Sequence, residues 1–150
     1  MARTTTDTAC PQLTNMNSLA NGQAKSLGKI DFETNGAHMA TAKVELTLGS
    51  SGVSSTGLVN IYFLGSQDDT DWTDGIDPTS TSDVTSSIKN ATRIASLNAN
   101  ANSQVVKVVL DLFSLVGDGY SLGALVVANE SGAAFAASGH DGDYQTTVIS

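Results

Sequence analysis

Residues 58–78 read LVNIYFLGSQDDTDWTDGIDP, and the contrast between the two halves of this stretch decides the fold. Its first half, from Leu58 to Leu64, is almost uninterrupted apolar sequence rich in β-branched and aromatic side chains, ended by Gly65. Such a run fits a strand buried on both faces. The second half is hydrophilic and sets Asp68, Asp69, Asp71, Asp74 and Asp77 around Trp72, the only tryptophan. The stretch predicts a core strand feeding an acidic display loop.

Upstream, Ile30 and Phe32 alternate with Lys29, Asp31 and Glu33, the pattern of a half-exposed strand. Asn35-Gly36 is a hairpin turn signal. Residues 37–48 then place Ala42, Val44, Leu46 and Leu48 on one side and Lys43, Glu45 and Thr47 on the other, before a Gly-Ser-Ser-Gly loop at 49–52. Downstream, residues 84–97 carry Ile88, Ile94 and Leu97 among polar neighbours, as one broken strand or two short ones. Residues 98–103, NANANS, are turn chemistry. Residues 104–113, QVVKVVLDLF, turn Val106, Val108, Leu110 and Leu112 inward, with Lys107 and Asp111 on the opposite face; residues 115–119 turn the chain. Residues 120–129, YSLGALVVAN, make a second buried strand in which Gly123 permits close backbone approach or a bulge. A small apolar strand at 133–138, a turn at 139–143 and a closing strand at 144–149 complete the rhythm. The expectation is an all-β fold: an antiparallel β-sandwich, jelly-roll-like, of about eight strands.

Residues 1–27 stand apart, rich in Thr, Asn, Gln and Ala, with Leu13, Met16 and Leu19 isolated among them. Pro11 and Gly22 interrupt any helix. The segment reads either as a disordered terminus or as an extended arm that becomes ordered against a neighbouring subunit. Arg3, Lys25 and the terminal amine make it mildly basic against an acidic body, which suits docking. The predicted organisation is an N-terminal arm at 1–27 and a β-sandwich head at 28–150. Partner contacts are expected at Arg3, Leu13, Met16, Leu19 and Lys25.

The totals narrow the function classes. A chain of 150 residues is most simply one domain with a core of its own. Cys10 is the only cysteine, so no intramolecular disulfide forms and synthesis in a reducing cytoplasm is permitted. The first residues lack the apolar segment of a secretory signal, and apolar runs fall far short of the ~20 residues that cross a bilayer. No membrane partner is expected. Net charge is −8, and no Lys or Arg follows Lys107. That balance argues against a nucleic-acid backbone, which needs a basic footprint, and the few aromatics argue against a stacking platform.

Reactive constellations are not evident. Five carboxylates within ten residues of the 68–77 loop invite a calcium reading, but their spacing is not that of an EF-hand, so a solvated acidic loop is the simpler reading and no metal is expected. Trp72 could contact a sugar or a protein neighbour, or fold back as a lid over the sandwich end. Ser138, His140 and Asp141 are adjacent, whereas triads are assembled from separate segments. His38 is the only other imidazole, and no zinc-ligand spacing occurs. Nothing selects two carboxylates as a glycosidase pair. Tyr120 and Tyr144 read as packing residues. Asn90-Ala91-Thr92 and Asn129-Glu130-Ser131 match the glycosylation pattern by coincidence, since no signal peptide precedes them. The chain is not expected to be an enzyme and needs no cofactor.

Two stretches together carry a family resemblance: NIYFLGSQDDTDWTDGIDP at 60–78, and ALVVANESGAAFAASGHDG at 124–142. The combination resembles the jelly-roll decoration, or cement, proteins of tailed bacteriophage capsids, over roughly residues 37–150. The resemblance implies a virion structural protein, made in the host cytoplasm, that binds the major capsid protein on the capsid surface, stabilises the head and associates with itself as a homotrimer. It transfers no catalytic residue. A carbohydrate- or receptor-binding knob using Asp68, Asp69, Asp71, Trp72 and Asp74, or a tail or fibre component, is the alternative.

Overall fold

The long apolar runs and the alternating segments form strands, the short apolar segment at 133–138 does not, and one strand forms where neither signal was present. The structure, a computed structural model, describes residues 1–32, 36–112, 114 and 119–150. Asn35 of the expected hairpin turn and residues 115–118 of the later turn lie outside the described residues. Among the described residues there are eight strands: β1 (Arg3–Ala9), β2 (Ala24–Asp31), β3 (Met39–Thr47), β4 (Leu58–Ser66), β5 (Thr92–Asn98), β6 (Val105–Asp111), β7 (Leu122–Glu130) and β8 (Asp141–Ile149). They pair antiparallel in two four-stranded sheets, β1-β8-β3-β6 and β2-β7-β4-β5. The pairs β4·β5, β3·β6, β2·β7 and β1·β8 are successive rungs of one long ribbon. Rolling that ribbon drops alternate rungs into opposite sheets, which is the jelly-roll wrap. The fold is an all-β antiparallel sandwich of jelly-roll type.

Period-2 alternation decides what lies between the sheets. Ala42, Val44 and Leu46 of β3 meet Val59, Ile61 and Phe63 of β4, Leu125 and Val127 of β7, and Tyr144 of β8. Lys43, Glu45 and Lys107 face out from the first sheet and form an ionic chain, with Glu45 3.0 Å from Lys43 and 3.1 Å from Lys107. β4 and β7 are apolar on both faces because the second sheet is also covered from outside. There Leu64, Ala124, Val126 and Ala128 pack with Ile76 and Val84 of the β4–β5 connection. At Gly123 a Cβ would lie 2.7 Å from the Phe63 ring and 2.9 Å from that of Phe32. Only glycine lets those two rings close over β7.

Residues 1–27 are not an arm. Arg3–Ala9 is the edge strand β1, paired with β8 along its whole length. Leu13–Met16 forms a 3-10 turn, and Met16 and Leu19 are 0% and 1% exposed in the main core. Leu13 packs against the same core. Strand β2 begins at Ala24, ahead of the alternating segment, and carries Lys25 within it. Gly28, at φ +101°, sits at the irregularity of β2, where Pro11 and Gln12 approach too closely for a side chain. Of the expected contact residues, Met16 and Leu19 are therefore sealed in the core, Leu13 and Lys25 are half-buried, and Arg3 keeps an exposed side chain.

Two further expectations are corrected. Residues 133–138 form no strand, only an isolated bridge between Phe135 and Leu48. Val84 and Ile88 belong to the cover over the second sheet, and only Thr92–Asn98 forms a strand. The expected eight strands and the observed eight thus differ in membership: β1 takes the place of the segment at 133–138.

Candidate functional site

The 67–91 connection is built by short polar side chains that hydrogen-bond their own backbone. Ser66, buried at the end of β4, accepts from the Asp69 N–H at 3.1 Å. Asp68 Oδ1 accepts from the N–H groups of Thr70 and Asp71, both at 2.9 Å. Thr73 Oγ1 reaches back to accept from the Gly65 N–H at 3.0 Å, pinning the loop to its strand. Asp77 Oδ1 accepts from the backbone and hydroxyl of Thr79. These are Asx and Ser/Thr turns, the local chemistry that makes such residues favour loops.

Asp74 is the latch. Its carboxylate accepts from the N–H groups of Lys89 (2.8 Å), Asn90 (2.8 Å) and Ala91 (3.0 Å), and from Asn90 Nδ2 at 2.8 Å. Led by the Lys89 N–H, these donors hold its carboxyl down to about 2. Asp83 fastens the other side, accepting from Ala24 N–H at 2.9 Å, while Val84 N–H donates to Ala24 O at 2.8 Å. The loop is thereby tied to the edge of β2 and lies over the second sheet, with Trp72 and Ile88 packed against the cluster beneath.

The expected display residues have separate duties. Asp68 and Asp74 are occupied by backbone donors, Asp69 pairs with Lys29 at 2.5 Å, and Trp72 is half-buried as part of the lid. Among the described residues no three or more His, Cys, Asp or Glu side chains group as metal ligands. Two shallow clefts meet at Trp72. One, of ≈ 350 Å³, is bounded by Lys29, Asp69, Ile76 and Asp77; the other, of ≈ 370 Å³, lies toward Gly65, Asp71 and Tyr120.

His140, Cys10 and Tyr144 are structural in the same sense. His140 Nδ1 accepts from the Thr47 N–H at 3.2 Å and Nε2 donates to Ala136 O at 3.0 Å, so neither ring nitrogen is turned to Ser138. Burial pushes the Cys10 thiol up to about 12 and the buried Tyr144 hydroxyl well above its ordinary value; that hydroxyl donates to Gly28 O at 3.3 Å.

Sequence reasoning missed Asn129, which is fully buried. Its Nδ2 donates to Leu19 O and Ala133 O, both at 2.8 Å, and its Oδ1 accepts from Ser131 N–H and Oγ. The residue joins the N-terminal turn to the end of β7, and burial leaves no acceptor nitrogen for a glycan. An amide ending an apolar run, two residues before Ser, was the available signal.

No protein-family model matches the chain, and no curated protein does. Two solved structures resemble it in outline. A structure of infectious bursal disease virus Gx strain is 9% identical with a TM-score of 0.39, over 98% of this chain and 32% of that one. A crystal structure of the Israel acute paralysis virus pentamer is 9% identical with a TM-score of 0.26, over 96% of this chain and 83% of that one. The chain thus spans about a third of the first of these. Neither likeness is close enough to transfer a function.

Proposed function

We propose that this chain is a structural protein of a virion, a non-enzymatic decoration or cement protein that binds the major capsid protein on the outer lattice of a phage head and associates with itself as a homotrimer. The observation that carries the reading is the strand order β1-β8-β3-β6 over β2-β7-β4-β5, a wrap used by viral capsid domains. The resemblance of residues 37–150 to phage cement proteins supports the decorating role. So does the way the loop carboxylates are used: Asp68, Asp74, Asp77 and Asp83 hold backbone in place, which suits a rigid contact surface.

The test is co-sedimentation and electron microscopy of the purified chain with undecorated capsids. Ordered density on the lattice is expected, and free protein at every capsid concentration would overturn the reading. The same wrap serves lectin domains, and the two clefts beside Trp72 favour a glycan-binding knob as the second reading. Glycan binding lost in Trp72→Ala, together with no capsid binding, would select it.

A further inference from the structure

The first sheet is open at both ends: among the described residues no strand pairs with the outer edge of β1 or of β6. Both edges are well formed. All seven β1 side chains are exposed, and β6 leaves Val109 72% and Val105 45% exposed. A long, regular edge with exposed apolar residues is a template for pairing with another chain.

The hydrogen-bond phase of each edge follows from its ladder. Residues bonded across an antiparallel pair alternate with residues whose N–H and C=O point the other way. Ala2 and Ser150 exchange bonds of 2.9 and 3.0 Å, and Cys10 N–H donates to Gly142 O at 2.9 Å. The register between them is unbroken, so Arg3, Thr5, Asp7 and Ala9 turn their backbone groups to the open edge. On β6, Gln104 O accepts from Leu48 N–H and Leu112 N–H donates to Ala40 O, both at 2.8 Å. The register is again unbroken, so Val105, Lys107 and Val109 face the open side.

The two edges fit each other. Set antiparallel with Asp7 opposite Lys107, they bring Thr5 to Val109, Ala9 to Val105 and Arg3 to Asp111, with the outward-facing backbone groups in phase. Asp7 and Lys107 also share the outer face of the sheet: Asp7 accepts from Gln145 Nε2 at 2.9 Å, and Lys107 lies in the outer ionic chain. Sliding the strands by two residues loses both charge pairs. Sliding by four sets Arg3 against Lys107, or Asp7 against Asp111. Opposite charges across a strand pair stabilise it and like charges weaken it, so one register is selected.

We propose that β1 of one copy pairs antiparallel with β6 of a second copy, Asp7 opposite Lys107, joining their first sheets into one. Within the sheet β1 and β6 run in opposite directions. Antiparallel pairing therefore leaves successive copies in the same orientation, a head-to-tail contact that a cyclic ring closes. The contact gives the self-association of the proposed function a surface, yet rests on strand geometry alone, so it is tested without capsids and fails separately from capsid binding.

Analytical ultracentrifugation of the full chain is the test. The unmodified protein is expected to sediment as an oligomer, and Asp7→Lys and Lys107→Asp each to weaken association by roughly tenfold or more. The double exchange is expected to restore most of it. Both positions are exposed, and circular dichroism confirms that each variant is folded. In a second arm, Thr5→Cys protein mixed with Val109→Cys protein is oxidised; a disulfide-linked heterodimer is expected in higher yield than from Thr5→Cys with Val105→Cys. Cys10 stays out of this reaction because it is buried. A monomeric unmodified protein, an oligomer indifferent to both single reversals, or equal cross-linking from the two cysteine pairings would overturn the proposal.

Discussion

Asn129 and Asn60 are both buried amides at the second sheet, and they differ in how completely they are satisfied. Asn129 spends both amide protons and its oxygen on partners within the fold. Truncating it leaves the buried Ser131 N–H without its acceptor and takes one of two donors from each of the Leu19 and Ala133 carbonyls, which keep the Phe135 N–H and the Ser131 hydroxyl. Asn129→Ala should cost about 2–4 kcal/mol in urea unfolding, at the high end for one residue because unmet buried groups carry the desolvation penalty. Asn60 donates to Glu130 Oε2 at 3.0 Å but leaves Oδ1 buried without a partner. Asn60→Val removes that unmet oxygen along with one partly exposed bond, so its expected cost is below about 1 kcal/mol. Similar losses from both variants would show that the degree of satisfaction does not matter here.

The lid over the second sheet is an element without regular secondary structure, held by carboxylates, and it should respond to acid. Asp74 titrates near 2 in the folded chain, below its ordinary value of 3.8, and Asp68, Asp77 and Asp83 are also lowered. A depressed carboxyl contributes stability above its unfolded value and loses it as pH falls through its folded value. The lid should therefore loosen between about pH 4 and pH 2, read as a red shift of Trp72 fluorescence; the same shift at neutral pH is expected in Asp74→Asn. A Trp72 spectrum unchanged across that window would refute the latch. This element also marks how far the sequence could be read. The runs at 58–64 and 120–129 announced strands buried on both faces, and the alternation at 37–48 and 104–113 announced half-buried ones. What covered the doubly buried strands was illegible, because Ile76, Val84 and Ile88 are scattered through polar sequence with no period. β1 was missed for the same reason: its residues are exposed on both faces, so nothing but main-chain pairing makes Arg3–Ala9 a strand.

At the scale of the molecule, the first 27 residues divide into parts of unequal weight. Removing residues 1–9 strips one exposed edge strand and should leave the roll folded, with its strand signature in circular dichroism retained. Removing residues 1–27 also takes Met16, Leu19 and Ala24 from the two cores. Each deleted large side chain costs on the order of 2–5 kcal/mol, enough together to exhaust the stability of a domain this size; loss of cooperative thermal unfolding is the expected result, and a folded 28–150 fragment would contradict it. The ribbon wrap has one more consequence, and it concerns time. Because among the described residues β1 pairs only with β8, a segment made early in translation must wait for one made more than a hundred residues later. Pairings between such distant segments form slowly, so during synthesis β1 trails from a nearly finished roll, and a nascent neighbour on the same message can reach it before its own β8 has left the ribosome.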